Sequence, residues 1–205
     1  MSRIVDQPER YFSQLVRRND PLLLELEQDA QAERIPIVGP LVGELLFIIS
    51  VAMRAQAILE LGTATGYSAV YLARACAINA GRLTTLEIDP AFAARARKNL
   101  ERAGLLPHAT VICGEALPRM SEMKGPFDLI FMDIDKIDYA RALNDCHRLL
   151  RRGGLLVADN IAFPDADAFN RNIFSDAAGW QPVSLLAFLP GHSPEKDGLC
   201  LALRC

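Results

Sequence analysis

Two acidic side chains in this sequence stand directly after short apolar runs, where a strand of a parallel sheet would end. Met132 is followed by Asp133, and Ala158 is followed by Asp159 and Asn160. Carboxylate and amide oxygens are hard ligands, which suit magnesium, manganese or calcium and do not suit zinc. Helix capping explains either aspartate taken alone. If neighbouring strands bring the three side chains together, the sequence predicts a divalent metal site.

A glycine-bearing turn follows an earlier apolar run, in the segment from Glu60 to Ser68. Its spacing is Gly62-x-x-x-Gly66, and Ala64 stands where the dinucleotide fingerprint Gly-x-Gly-x-x-Gly needs a second glycine. The pattern therefore argues against a nicotinamide enzyme. Glycine lets a bulky ligand approach the backbone, although a tight strand-to-helix corner also needs it.

Further acids follow the next two apolar runs. Glu87 comes roughly 20 residues after the glycine turn, the position from which a carboxylate accepts the hydroxyl groups of a ribose. We expect Asp89, and not Glu87, to cap the helix that follows. Glu115 and Ala116 follow Gly114, where they either border an adenine ring or form an ordinary exposed turn.

The elements that must position these residues alternate along the chain, since short apolar runs are separated by amphipathic stretches. This alternation predicts a doubly wound α/β fold with a mainly parallel sheet. A turn-rich stretch from Leu189 to Gly198 leaves no room for a helix, so we expect the last strand to run antiparallel. We predict seven strands at Ala57–Leu61, Arg82–Glu87, Thr110–Cys113, Phe127–Met132, Gly154–Ala158, Trp180–Phe188 and Leu199–Arg204.

The N-terminal part of the chain has a helical pattern. It is predicted from Tyr11 to Arg34, with Asp20 and Pro21 as an internal start signal, and again from Leu41 to Arg54. With 205 residues, one domain is expected, in which residues 1–55 form a helical lid or dimer segment and residues 56–205 form the α/β core. A homodimer through these helices is an expectation.

The amino-acid composition limits the kinds of partner and the cellular location that we expect for this protein. The formal charge of −3 and the pI near 5.7 provide no global positive field for a polynucleotide, so nucleic acid is not the expected partner. The five cysteines are scattered and odd in number, which favours a reducing, cytoplasmic location. No signal peptide is apparent, and the longest apolar run, Leu45 to Met53, is about half the length that a membrane span needs.

Three segments together resemble the metal-dependent O-methyltransferases, the family of the catechol and caffeoyl-coenzyme A methyltransferases and their small bacterial relatives. These segments are Leu59–Ser68, Phe127–Lys136 and Gly153–Asn160, and the resemblance extends from about Ile35 to the end of the chain. It implies a Rossmann-like methyltransferase fold, S-adenosylmethionine as methyl donor, a divalent cation and a small hydroxylated, aromatic or catechol-like acceptor.

The resemblance also implies roles for individual residues. Lys136 would face the acceptor hydroxyl and take its proton, and Asp133 would both act in catalysis and border the cofactor. The metal ligands would be Asp133, Asp159 and Asn160. The cofactor-binding residues would be Val38, Glu60, Gly62, Ser68, Glu87, Glu115, Ala116 and Asp133.

Some features depart from the family pattern, and all of them border the acceptor side. Relatives often carry an aromatic residue in place of Ala64 and a tryptophan near Phe163, and the loop over residues 190–198 is longer than expected for this hairpin. Two alternatives therefore stay open: a hydroxyuridine in tRNA as the acceptor, or a protein that binds S-adenosylmethionine without transfer. The histidines, His108, His147 and His192, are too dispersed to form a metal set, and His192 is expected to be a solvated turn residue.

Overall fold

The protein forms one seven-stranded sheet. The structure is a computed structural model that describes residues 4–175 and 179–205. The strands are β1 (Ala57–Leu61), β2 (Arg82–Glu87), β3 (Ala109–Cys113), β4 (Phe127–Met132), β5 (Leu150–Ala158), β6 (Trp180–Phe188) and β7 (Lys196–Arg204). Their order is β3-β2-β1-β4-β5-β7-β6. β7 pairs antiparallel with both of its neighbours, and the other pairs are parallel. The predicted doubly wound, mostly parallel sheet with an antiparallel last strand is confirmed.

Among the described residues, three α-helices precede β1, and one α-helix follows each of the strands β1 to β5. They are α1 (Pro8–Ser13), α2 (Pro21–Glu33), α3 (Gly39–Ala52), α4 (Tyr67–Ile78), α5 (Pro90–Arg102), α6 (Ala116–Glu122), α7 (Tyr139–Leu149) and α8 (Asp167–Ile173). Asp89 caps α5, because its carboxylate accepts hydrogen bonds from the backbone N–H groups of Ala91 and Phe92. No helix of the described residues is both long and apolar enough to cross a membrane.

The helical pattern predicted from Tyr11 to Arg34 is divided between two helices, and the start predicted at Asp20 and Pro21 is confirmed. α1 ends at Ser13, and α2 begins only at Pro21. Asp20 accepts hydrogen bonds from the N–H groups of Leu22 and Leu23, which starts a new helix at this point. Proline favours such a start because it has no N–H group to continue a preceding helix.

Apolar layers cover both faces of the sheet. On one face Ile58 and Leu83 pack with α3, α4 and α5 through residues such as Leu46 and Leu72. On the other face Leu59 and Ile130 pack with α6, α7 and α8. Since side chains alternate along a strand, both faces of the central strands must be apolar, which explains their nearly continuous apolar runs.

The register of the parallel strands places their carboxyl ends at one edge of the sheet. Leu61 pairs with Met132 of β4, and Met132 pairs with Ala158 of β5. The residues that follow these strands, Gly62, Asp133 and Asp159, therefore leave the sheet side by side. Strand order reverses between β1 and β4, and this switch point is where open α/β sheets bind their ligands.

Candidate active site

Gly62 begins the turn between β1 and α4 and lies against the end of β4. Its φ is +85°, and a Cβ atom at this position would overlap the backbone carbonyl oxygen of Asp133 and lie 2.9 Å from its carbonyl carbon. The Gly62 N–H donates to the Leu86 carbonyl oxygen at 3.0 Å. Glycine is therefore required here for two reasons, the left-handed backbone and the close approach of β4.

Glu87, at the end of β2, holds this turn in place. Its Oε2 accepts hydrogen bonds from the backbone N–H groups of Ala64 at 2.7 Å and Thr63 at 3.3 Å. Its Oε1 accepts from the N–H of Asp89 at 2.9 Å. The structure thus gives the Glu87 carboxylate a role in shaping the turn, in addition to the ribose contact that the sequence predicts.

Two cavities meet at this turn and share Gly62, Glu87 and Asp133 as lining residues. The larger, of about 620 Å³, extends past Glu115 and Ala116, and the smaller, of about 100 Å³, extends towards Val38 and Ser68. All the predicted cofactor-binding residues except Glu60 line one or both of them. We refer to these two cavities together as the groove.

Glu60 lies behind the groove and is fully buried. Its Oε2 accepts hydrogen bonds from the hydroxyl groups of Thr85 at 2.6 Å and Thr63 at 2.9 Å, whereas Oε1 has no hydrogen-bond partner among the described residues. Burial raises the pKa of Glu60 to about 7, although the hydroxyl groups of Ser68, Thr85 and Thr63 lower it. Glu60 therefore presents a buried oxygen that can accept a hydrogen bond from a ligand.

Asp133 and Lys136 form an ion pair at the end of β4. Lys136 Nζ donates to Asp133 Oδ1 at 2.8 Å and to the Ile134 carbonyl oxygen at 3.1 Å. The same ammonium lies 5.6 Å from the centre of the Tyr139 ring. Lys136 is therefore held beside the groove, since Asp133 is one of the groove's lining residues.

Asp159 and Asn160 follow β5 and are both buried. The Asp159 carboxylate accepts from the backbone N–H of Asn160 at 2.9 Å and contacts His192 Nε2 at 2.8 and 3.0 Å. Burial and the negative charge of Asp133 raise the pKa of Asp159, while His192 opposes this shift. Burial lowers the pKa of His192, but the hydrogen bond and charge of Asp159 outweigh it, so the pKa is raised.

His192 corrects the sequence prediction of a solvated turn histidine. Its side chain is 1% exposed, and it reaches the site from the hairpin between β6 and β7. Sequence reasoning also missed Asp197, the second residue of β7, whose Oδ2 accepts a hydrogen bond from Asn160 Nδ2 at 2.7 Å. The sequence predicted this hairpin from its turn-rich stretch, but only the length of the loop over residues 190–198 indicated that it could reach the site.

The three predicted metal ligands offer an oxygen set that fits a hard divalent cation. Asn160 Nδ2 faces two acceptors, the Asp197 carboxylate and the Ser193 carbonyl oxygen, so its Oδ1 is turned away from them. Asn160 also has a φ of 52°, in the left-handed region that asparagine tolerates. Within the described ranges no three His, Cys, Asp or Glu side chains cluster as a metal site, so the candidate consists of two carboxylates and one amide.

A doubly wound sheet with an open groove at its switch point, bordered by the acid that ends the second strand, is the architecture with which α/β proteins bind nucleotides. A family model described as O-methyltransferase matches residues 17–167, which is most of the chain. The chain belongs to this O-methyltransferase family.

Individual relatives agree with the family match. A catechol O-methyltransferase of Niastella koreensis is 40% identical over 166 residues, which are 78% of this chain and 75% of that protein. A catechol O-methyltransferase of Mycobacterium tuberculosis is 37% identical over 146 residues, which are 70% of this chain and 66% of that protein. The crystal structure of an O-methyltransferase from Bacillus cereus in complex with SAH has a TM-score of 0.84, with 29% identity over 96% of both chains.

Proposed function

We propose that this protein transfers a methyl group from S-adenosylmethionine to a hydroxyl group of a small, catechol-like acceptor, with the help of a divalent cation. The observation that carries the proposal is the position of Asp133. It lines the groove, and it also stands beside Asp159 and Asn160 at the ends of neighbouring strands. The two reactants would thereby be held on either side of one residue.

The groove supports S-adenosylmethionine as the methyl donor. Glu87 would bind the ribose, Glu115 and Ala116 would border the adenine, and Val38, Gly62 and Ser68 would surround the methionine end, and all six line the groove. Glu60 Oε1, buried and unpartnered among the described residues, fits an ammonium group such as that of methionine. SAH, with which the Bacillus cereus relative was solved, is the product that remains after S-adenosylmethionine gives up its methyl group.

The donor set supports a magnesium, manganese or calcium ion. When bound, a divalent cation stabilises a negatively charged oxygen and so lowers the pKa of a hydroxyl group. Asp133, Asp159 and Asn160 would hold it. Lys136 Nζ, held by Asp133 and the Ile134 carbonyl oxygen, would take the proton of the acceptor hydroxyl in its neutral amine form, since an ammonium has no free electron pair. Fixed positions for donor and acceptor favour the transfer, because less orientational entropy is lost on reaction.

The acceptor class rests on the names of two relatives, both catechol O-methyltransferases. The test is transfer of a labelled methyl group from S-adenosylmethionine to catechol and to a compound with a single phenolic hydroxyl. We expect transfer to catechol with magnesium, loss of it with a chelator, and recovery when magnesium is restored.

Variants make this experiment specific. Asp159→Asn should abolish transfer, whereas Asp167→Asn, which alters an exposed ion pair with Arg171 on α8, should leave it intact. Transfer that continues without any metal would refute the proposal that the reaction needs a divalent cation. Binding of S-adenosylmethionine without transfer to any hydroxylated compound would refute the proposal that the protein is an enzyme.

A further inference from the structure

The hairpin between β6 and β7 delivers two buried side chains to the predicted metal ligands. His192 contacts Asp159, and Asp197 contacts Asn160. The same hairpin is anchored to the body of the protein, since the Ser193 N–H donates to the Ile37 carbonyl oxygen at 3.2 Å. The hairpin is thus fixed against the segment that precedes α3 as well as against the end of β5.

We propose that His192 is a positioning residue that orients the Asp159 carboxylate for binding the divalent cation. This inference rests on the proposed function, because it concerns the same metal site. It assigns a role to His192, which is not one of the predicted metal ligands. It also assigns a role to the hairpin between β6 and β7, for which the sequence predicted none.

The geometry fixes the imidazole ring at both of its nitrogen atoms. Nε2 lies 2.8 Å from Asp159 Oδ2 and 3.0 Å from Oδ1, and Nδ1 lies 2.6 Å from the Pro194 carbonyl oxygen. A ring held at two points cannot swing without breaking a hydrogen bond. Both side chains of the pair are 1% exposed, so water cannot readily replace either contact.

The contacts of Asp159 determine which of its oxygen atoms remains available. An ionised carboxylate has about four acceptor positions, two on each oxygen. Oδ1 accepts from the Asn160 N–H at 2.9 Å, and the one proton of His192 Nε2 lies nearer to Oδ2 than to Oδ1. Oδ2 faces only His192 among the described residues, so one position remains there for a further partner. His192 and the Asn160 N–H together therefore fix the rotation of the carboxylate and leave a position on Oδ2 for a cation.

A positioning role fits the structure better than direct ligation by His192. Both ring nitrogens already have partners, and no cluster of three His, Cys, Asp or Glu side chains occurs in the described part of the chain. Ligating carboxylates commonly have such outer hydrogen-bond partners, whose removal weakens metal binding by roughly 10- to 100-fold.

The experiment measures manganese binding to the full-length protein by electron paramagnetic resonance, with His192→Gln and His192→Leu. Glutamine keeps an N–H donor for Asp159, whereas leucine fills the space without one. We expect H192L to weaken manganese binding by about 10- to 100-fold and H192Q to recover most of this loss. The affinity for S-adenosylmethionine, measured by calorimetry, should stay unchanged in both.

Matched controls are His108→Gln and His108→Leu, because His108 is remote from the site and makes one weak contact with the Gly81 carbonyl oxygen. Neither should change manganese binding. If H192L does not fold, His192→Ala removes the donor without placing an apolar group against the carboxylate. Circular dichroism establishes that each variant is folded.

Several outcomes would overturn the inference. Manganese binding by H192L or H192A at wild-type affinity, or more tightly, would show that His192 does not position Asp159. Nitrogen hyperfine coupling to bound manganese that disappears in H192Q would show that His192 is a ligand. If the wild-type protein binds no manganese, the proposed metal site itself fails, and this inference fails with it.

Discussion

The Tyr139 hydroxyl donates to the backbone carbonyl oxygen of Asp159 at 2.9 Å and also lies 3.1 Å from the carbonyl oxygen of Met132. The side chain is fully buried, and burial together with neighbouring carboxylates such as Asp133 raises the pKa of Tyr139 well above its ordinary value. The phenol therefore stays protonated and serves as a donor. It links the ends of β4 and β5, from which all three predicted metal ligands extend.

Replacing Tyr139 by phenylalanine should destabilise the protein and loosen this link. The change leaves a buried carbonyl oxygen without its donor, and we expect a loss of about 1–3 kcal/mol in the free energy of unfolding. Urea denaturation measures it. Tyr11→Phe, which alters an exposed residue of α1, is the control and should have little effect. Equal stability of the two variants would show that water or another group replaces the hydroxyl.

Gly62→Ala and Gly104→Ala form a matched pair of substitutions. Both glycines have a positive φ, but a Cβ at Gly104 meets nothing within 4 Å, whereas one at Gly62 overlaps the Asp133 backbone. G104A should cost about 1–2 kcal/mol from backbone strain alone. G62A should cost more than that and also weaken binding of S-adenosylmethionine, because the end of β4 must move. Similar unfolding free energies for both variants would contradict the close approach of the Asp133 backbone to Gly62.

Glu60 predicts a pH dependence of stability. Its pKa is about 7 in the folded protein and near 4.5 when exposed, so the folded state retains a proton that the unfolded state releases. Its effect on stability is therefore absent below pH 4.5, and the free energy of unfolding falls between pH 4.5 and 7, by about 3 kcal/mol in total.

Glu60→Gln should remove this fall, since glutamine has no proton to lose. The measurement is urea denaturation of the unliganded protein at several pH values, compared with the wild type. Glu101→Gln, at an exposed position of α5, is the control and should keep the wild-type profile. A wild-type profile in E60Q would show that Glu60 is not the group responsible.

Lys136→Met should reduce turnover while leaving binding of the methyl donor intact. If Lys136 takes the acceptor proton, loss of its amino group should lower kcat by about 10²- to 10⁴-fold. Steady-state kinetics with saturating magnesium tests this, with calorimetry for S-adenosylmethionine affinity. Lys124→Met is the control, because Lys124 is exposed on a loop. An unchanged kcat in K136M would show that Lys136 does not take the proton and serves only as a counter-ion of Asp133.

The sequence predicted the ends of most strands well. β1, β2, β4 and β6 have the bounds predicted for them, and Asp89 begins α5 as expected. These features depend on neighbouring residues, such as an unbroken apolar run, a capping side chain or a proline. β5 and β7 begin earlier than predicted, at Leu150 and Lys196, because strand pairing extends into polar and glycine-rich residues that no local pattern marks as strand.

The structure also shows which predicted site residues share one surface. Seven of the predicted cofactor-binding residues line the groove, while Glu60 lies buried behind it. Period-two alternation in β1 explains this position, because Glu60 falls on the same face as Ile58, which α4 covers. The roles of these residues stay predictions.

What the sequence by itself determined is the class of fold and the residues at the strand ends, since apolar periodicity, caps and turns act over a few neighbouring positions. The tertiary structure alone decided that His192 is buried against Asp159, that Asp197 orients Asn160 and that Tyr139 joins two strand ends. Each of these contacts joins residues 20 or more positions apart. Such contacts depend on how the hairpin and α7 pack on the finished sheet, and no local pattern encodes that packing.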